Sequence, residues 1–586
     1  MRIIISFIVL AFCLSLYSAT GFAQGKSQPN VIIIITDDQG YGDFGITGNP
    51  HVKTPVIDRF ATESIRFNNF YVSPVCAPTR SSLMTGRYSL RTGVRDTYNG
   101  GAIMASSEVT IAELLKRANY KTGIFGKWHL GDNYPSRPSD QGFDESLIHL
   151  SGGMGQVGDI TTYFKRDSSY FDPVLWHNNK REAYQGYCSD IFTDQAINFI
   201  SKNSESPFFC YLSFNAPHTP LQVPEKYYSQ YKDIDPASGF KDDKRPFLKM
   251  TEKDKEDARK VYAMVTNIDD NIGKLLKRLD ELKITENTLI IFMTDNGPQQ
   301  TRYVAGMRGL KGNVYQGGVR VPFYVRYPSS FGKNKDIETM AAHLDILPTV
   351  AELCHVDLPN DRIIDGKSLI PLIKGKQVDW ANRSLFTYWT RRYPELYSKM
   401  SVHKGNYKLV GNTDYNAKIE DFELYDLNKD SYEQNNIVLK NKALANTLKQ
   451  ELDRTFNDLI SSENLINQPP IIVGSKFENP IILNRNDAGG ERGIWDQEEV
   501  NGNWKVKIQK GHYNIKFKFL KPLKANGRMY LEASTIVRQI QNKTEGKDII
   551  EMKNVYFPDM DCELRPYYSF DSKNIFPFWV EMERID

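Results

Sequence analysis

From residue 31 to about residue 375, short apolar runs alternate with helical patterns, and few architectures accommodate that alternation. The clearest runs are Val31–Ile35, Thr122–Phe125, Pro207–Phe214, Leu289–Met293 and Pro322–Arg326. Each has strand length and is bounded by Gly, Pro, Asn or Asp, residues that end strands. Between them, Thr110–Ala118 and Asp257–Leu282 carry helical apolar spacing. Strands that alternate with helices pair in parallel, because the crossover helix returns the chain to the same end of the sheet. A parallel sheet needs cover on both faces. The pattern predicts an α/β fold over residues 28–375: a large mixed, mainly parallel sheet sandwiched by helices.

Ligands of open α/β sheets bind beyond the carboxyl ends of the strands. Asp37 and Asp38 follow the first predicted strand, Lys127 and His129 the second, His218 the third, and Asp295 and Asn296 the fourth. Carboxylates, an amide, imidazoles and an ammonium therefore converge on one edge. The oxygen donors of Asp37, Asp38, Asp295 and Asn296 suit a hard divalent cation, Ca2+ or Mg2+, over zinc. One Asp pair alone would more often cap the next loop or helix. Two such strand ends together favour a metal.

The pattern changes near residues 371–380. Strand-like Tyr407–Val410 and Glu423–Leu427 precede a helix over Ala443–Ile460, which predicts a smaller α+β subdomain over residues 376–465. Asn467-Gln468-Pro469-Pro470 reads as a linker. Beyond it, residues 471–586 alternate with period two, as in Trp504–Ile508 and Tyr513–Phe519, and show no comparable helical stretch. An appended β-rich, sandwich-like domain is expected there.

The N-terminus reads as a secretory signal. Arg2 precedes an apolar run over residues 3–17, and Gly21-Phe22-Ala23 offers cleavage after Ala23. The run is shorter than a membrane-spanning helix requires, and no later stretch is apolar enough to cross a bilayer. The expected destination is secretion, into the periplasm. Lipid attachment at Cys13 ranks second, because Phe12 is a poor residue before a lipidated Cys. Of the six cysteines, Cys13 leaves with the signal and five remain, an odd number for a secreted chain. Cys188, Cys210, Cys354 and Cys562 are widely and irregularly spaced, which argues against a disulfide framework and leaves their state open. A net charge of +3 provides no bulk field for nucleic acid or anionic membrane.

The remaining cysteine opens Cys76-Ala77-Pro78-Thr79-Arg80, followed by Leu83-Met84-Thr85-Gly86-Arg87. This stretch resembles the signature of type I sulfatases, formylglycine-dependent members of the alkaline-phosphatase-like superfamily. Thr36-Asp37-Asp38-Gln39-Gly40, Gly126-Lys127-Trp128-His129-Leu130-Gly131, Ala216-Pro217-His218, Thr294-Asp295-Asn296-Gly297 and Arg308-Gly309-Leu310-Lys311-Gly312 are similar to further blocks of that family, in family order. The resemblance covers about residues 28–460 and extends to bacterial carbohydrate sulfatases and arylsulfatases. Thr79 stands where Ser or Ala is common, while Pro78 and Arg80 are intact.

The resemblance implies a sulfuric ester hydrolase. Cys76 would be oxidised to formylglycine by a maturation enzyme and would join Asp37, Asp38, Asp295 and Asn296 around one cation, Ca2+ ahead of Mg2+. Lys127 and Lys311 would bind sulfate oxygens. His218, with Lys311, would protonate the leaving oxygen. His129 would deprotonate the second hydroxyl of the hydrated aldehyde, and Arg80 would orient that group. A helix beginning at Thr79 would aim its N-terminus at the sulfate. Taken singly, these Lys and His residues would more often be solvated or structural groups; it is the family blocks that make them candidates. His149 and Ser151 lie nearby in sequence without an assigned role, and Trp176-His177 reads as loop packing. A sulfated carbohydrate is the expected substrate. The alternatives are a phosphate or phosphonate ester hydrolase of the same superfamily and an inactive glycan-binding protein.

Overall fold

The computed structural model describes residues 28–586 except 241–245, 377–379, 381 and 492. The expected signal, with Cys13, lies outside them. Five parallel strands form the centre of a ten-stranded sheet, in the order Thr288–Thr294, Asn30–Thr36, Phe208–Ser213, Lys121–Lys127, Glu145–His149. Antiparallel strands flank them: Phe323–Arg326 beside Thr288–Thr294, and the Val174–His177/Lys180–Ala183 hairpin beyond Glu145–His149. Trp176 and His177 thus belong to a strand near the sheet edge, not to a packing loop.

Asn30–Thr36 is buried along its whole length, as a central parallel strand between two helical layers must be. Ile33 and Ile35 face a core shared with the Ile111–Arg117 and Ile346–Leu353 helices. Ile32 and Ile34 face the opposite layer, with the Cys188–Lys202 and Glu252–Glu281 helices. The second of these helices begins before the expected Asp257. Thr251 Oγ1 accepts from the Asp254 amide at 3.2 Å and Asp254 Oδ2 accepts from the Thr251 amide at 2.8 Å, a reciprocal cap that satisfies the first free donors.

The α+β subdomain is a four-stranded antiparallel sheet (Ser384–Tyr388, Met400–Lys404, Tyr407–Gly411, Glu423–Asp426) packed by the Lys442–Ile460 helix. Residues 471–586 form two sheets. One runs through Gly502–Ile508, Met560–Phe570 and Arg528–Ala533, and the other through Ile481–Asn484, Trp579–Arg584, Gly511–Lys518 and Ile549–Phe557. Trp504, Val506 and Leu531 of the first pack with Ile515, Phe517 and Val580 of the second. Among the described residues this module contains no helix, and no described helix is long and apolar enough to cross a membrane.

The β-rich module is built into the rest of the molecule. Gly490 N–H donates to Asn99 Oδ1 at 2.9 Å and Asn133 Nδ2 to the Ile482 carbonyl at 3.0 Å. At the centre of the junction lie two buried carboxylates. Asp132 accepts from the Ser151 amide and from Asn484 Nδ2, and Asp487 Oδ2 accepts from the Asp132 amide at 3.2 Å. Burial pushes Asp487 up to about 6, and burial together with the Asp487 charge holds Asp132 well above the carboxylate range. The native state therefore binds more protons than the unfolded chain above pH 4, so the pair withdraws stability as pH rises toward 6 and beyond. Asp487→Asn is expected to raise the thermal midpoint at pH 7.5 and to leave it unchanged near pH 4. Equal shifts at both values would contradict the account.

Candidate active site

The loops after the parallel strands interlock. The Asp37 amide donates to the Ala216 carbonyl at 3.2 Å and the Asp295 amide to the Thr36 carbonyl at 3.0 Å. Asp38 adopts φ +58°, a left-handed turn that costs a non-glycine residue about 1 kcal/mol. Its amide donates to Asp295 Oδ1 at 3.2 Å, and its own oxygens accept from Asn296 Nδ2 at 2.7 Å and from Lys311 Nζ at 2.7 and 2.9 Å. Lys127 Nζ donates to Asp37 Oδ2 at 2.5 Å. The Arg80 guanidinium donates to Asp295 Oδ2 at 2.8 Å, Ser213 Oγ at 2.5 Å and the Lys127 carbonyl at 3.2 Å. All these side chains except Lys311 are buried. Behind them Arg302 pairs with Asp43 at 2.7 Å and donates to the Asp38 carbonyl at 2.7 Å, fixing the turn from below. No motif pointed to that pair.

The acidic residues fit a hard cation. The ligand atoms of Asp37, Cys76 and Asp295 lie within 4.8 Å of one another, as do those of Asp37, Asp38 and His218. Asp37 Oδ1 and Asn296 Oδ1 are buried without a hydrogen-bond partner, and a buried oxygen of this kind needs a donor or an ion. Burial, with the Asp37 charge beside it, pushes Asp295 up to about 7 against the opposing pull of Arg80 and Lys127. Burial also acts to raise Asp38, but Lys311 overrides it and holds that carboxyl well below the usual range.

Cys76 is the first residue of the Cys76–Thr85 helix, three positions before the expected start at Thr79. Pro78 does not delay it, because the first turn has no intrahelical use for that N–H. Gly86, at φ +68°, ends the helix in the left-handed form that favours glycine. Cys76 Sγ lies 3.4 Å from His129 Nδ1, and His129 Nε2 lies 2.7 Å from the Thr97 carbonyl. A carbonyl only accepts, so Nε2 carries the proton and the Nδ1 lone pair faces Cys76. Burial, reinforced by Lys127, holds His129 well below its ordinary range, neutral at pH 7. Burial also raises the Cys76 thiol, so this sulfur is not poised as a thiolate nucleophile. His218 donates through Nδ1 to the Thr219 carbonyl at 2.7 Å and turns Nε2 to Asp38 Oδ2 at 3.6 Å; burial pulls it down to about 3.

Cys76, His129, His218 and Lys311 line one cavity of about 240 Å3. Its remaining wall includes Tyr98, Trp389 and Arg391, together with Asn486 and Trp495 from the β-rich module. Sequence reasoning missed this wall, which carries no motif. A larger cavity of about 510 Å3 beside Tyr71 and His403 contains none of the candidate catalytic groups. His149 points Nδ1 at the Leu150 carbonyl, and neither His149 nor Ser151 lines the 240 Å3 cavity. Trp176 borders a separate cavity with Phe477 and Glu478. Cys188, Cys210, Cys354 and Cys562 are all unpaired.

A parallel sheet whose carboxyl edge gathers buried acids, two lysines and two histidines around one helix terminus is suited to binding and cleaving an anionic ester. The "Sulfatase" family profile matches residues 29–356, and the profile "N-sulphoglucosamine sulphohydrolase, C-terminal" matches residues 310–460. The chain belongs to the sulfatase family and hydrolyses sulfate esters. It is 30% identical over 415 residues to N-acetylgalactosamine-6-sulfatase of Canis lupus familiaris, covering 66% of this chain and 72% of that one. Human steryl-sulfatase is also 30% identical, over 453 residues, 62% of this chain and 73% of that one. The crystal structure of Ps i-CgsB in complex with k-i-k-neocarrahexaose superposes with a TM-score of 0.64 at 28% identity, covering 75% of this chain and 94% of that one. A sugar sulfatase and a steryl sulfatase stand at the same distance, so membership fixes the reaction and leaves the alcohol open.

Proposed function

We propose that this chain is a secreted, metal-dependent glycan sulfatase that works through a formylglycine made from Cys76. The reading rests on the position of Cys76: a buried thiol unsuited to act as a thiolate, at the head of a helix, facing the free lone pair of a neutral His and within ligand distance of two buried carboxylates. Asp37, Asp38, Asp295 and Asn296, with the modified Cys76, would hold one Ca2+, with Mg2+ as the alternative. When bound, the cation neutralises sulfate oxygens and lowers the pKa of a hydroxyl at the Cys76 position. The hydrated aldehyde supplies two hydroxyls, one to attack sulfur and one through which sulfate is afterwards expelled.

The chain's own groups do the rest. Lys127 and Lys311 point ammonium donors at the sulfate oxygens in a water-poor site. His129 Nδ1 takes the proton from the Cys76 side chain. His218, neutral in the free enzyme, gains a proton beside the charged ester and, with Lys311, passes it to the leaving oxygen. Arg80 fixes the Cys76 turn through Asp295. His218→Ala is expected to lower kcat by about 10²–10⁴ on a sugar sulfate and by much less on 4-nitrophenyl sulfate, whose phenolate needs little protonation. Equal losses on both would remove His218 from the role of acid.

A sulfated carbohydrate is supported by the sugar that the N-acetylgalactosamine-6-sulfatase relative is named for and by the saccharide bound to the structural neighbour. Secretion is supported by the signal pattern over residues 1–23, and a formylglycine at Cys76 would require a maturation enzyme that acts on residues 76–80. The reading is tested by sulfate release from position-defined sulfated mono- and oligosaccharides, assayed beside their phosphate analogues. Faster turnover of the phosphates would overturn it.

A further inference from the structure

The cavity above Cys76 is walled by two different parts of the chain, and the β-rich module provides one of them. Trp495 lies in the segment that follows Arg485. The Arg485 guanidinium is fully buried and donates only to carbonyls: Ile494 at 3.4 Å, Gln497 at 2.6 Å, Phe576 at 2.6 Å and Pro577 at 3.0 Å. It ties the segment to the last turns of the module and presets the position of Trp495. The Trp495 ring stands 5.6 Å from that of Tyr98, which belongs to the same loop as Thr97, the residue that holds His129. The Arg391 guanidinium lies 4.7 Å from the Tyr98 ring centre and 5.0 Å from that of Trp389.

Two polar atoms on the side of this wall supplied by the β-rich module are unsatisfied. Asn486 is 2% exposed, and its amide oxygen has no partner, while its Nδ2 is engaged by Asp487 at 3.3 Å. Trp495 Nε1 is likewise buried without a partner. Orphaned buried groups are rare in native proteins and commonly await a ligand. One free acceptor, one free donor and flanking aromatic rings match a pyranose, which offers hydroxyls of both senses and an apolar C–H surface. A sterol offers no hydroxyl away from its ester to meet either group. The volume of about 240 Å3 falls below the roughly 300–1,000 Å3 of drug-sized sites, so the space inside the cavity matches one sugar unit.

We propose that the β-rich module forms the sugar-binding half of the active site. Trp495 and Tyr98 pack on the apolar face of a single terminal sulfated pyranose, Asn486 Oδ1 accepts one of its hydroxyls, and Trp495 Nε1 donates to another oxygen. The proposal rests on the glycan-sulfatase reading and adds the residues that select the sugar and the restriction to a chain end.

The test uses the full-length matured enzyme, a panel of sulfated monosaccharides, and oligosaccharides sulfated either at the terminal or only at an internal unit. Trp495→Ala and Asn486→Ala are each expected to raise KM for the preferred sulfated sugar at least tenfold, with kcat within threefold of the parent. Trp495→Phe keeps a ring but loses the Nε1 donor, so its KM should fall between those of the parent and Trp495→Ala. Internal sulfate should not be released. Unchanged KM in both Ala variants, equal impairment by Trp495→Ala and Trp495→Phe, loss confined to kcat, or comparable release of internal sulfate would each overturn the proposal while leaving the glycan reading in place. A parent enzyme that hydrolyses aryl or steryl sulfates and no sulfated sugar would overturn the glycan reading itself.

Discussion

Cys76→Ala is expected to reduce sulfate release by at least about 10⁴-fold, the scale on which loss of a nucleophile is felt when the rest of a site remains intact. The fold should survive. Ala is a strong helix former at a helical position, and deleting one buried sulfur costs about 1 kcal/mol. The unfolding midpoint thus separates loss of chemistry from loss of structure. Cys76→Ser keeps the size of the side chain and serves as a second blank in a host that does not oxidise Ser at this motif. In the active enzyme, the peptide carrying residue 76 should weigh about 18 Da less than its thiol form. Activity above one hundredth of the parent in Cys76→Ala, or a fully thiol Cys76 in an active preparation, would remove formylglycine from the mechanism.

Removal of the divalent cation should have an effect of similar size. Dialysis against a chelator is expected to abolish turnover, and Ca2+ to restore it, because Asp37 Oδ1 and Asn296 Oδ1 are buried without a partner beside clustered Asp37, Asp38 and Asp295 ligand atoms. Binding should also be visible without catalysis. An ion present at a hundred times its Kd adds about 2.7 kcal/mol to stability, so the thermal midpoint of the parent should climb with Ca2+. Asp38→Asn should lose most of that climb along with activity. A chelated enzyme that keeps a tenth of its rate, or a parent whose midpoint ignores Ca2+, would contradict the metal assignment.

The gathering of these candidate residues was legible because it follows local rules. Asp37, Asp38, Lys127, His129, His218, Asp295 and Asn296 all come directly after apolar runs, and a parallel sheet obliges such positions to share an edge. The sheet turned each spacing into proximity. Smaller misreadings also have local causes. The Thr251–Asp254 cap was written in the sequence, and the helix it starts was placed too late because polar residues fill its first turns. The small and apolar residues after Thr79 point to a helix start there, but the helix begins at Cys76 because a first turn tolerates Pro78. Glu145–His149, the fifth parallel strand, mixes polar with apolar residues and did not stand out. The cavity wall was beyond this kind of reading altogether. Asp487 meets the Asp132 backbone across 355 residues of chain, and nothing in the local pattern around Asn486 or Trp495 says which surface the module will cover.

Every residue of the Cys76–Thr85 helix is buried beneath the sheet edge and its loops. A maturation enzyme that must grip Cys76, Pro78 and Arg80 together cannot reach them in the finished molecule. On the proposed formylglycine reading, oxidation is therefore a matter of timing: it would have to happen while this stretch is still an extended chain. A molecule that closed first would be folded and beyond repair, and the working fraction of a preparation would be set before folding and not by later treatment of the protein.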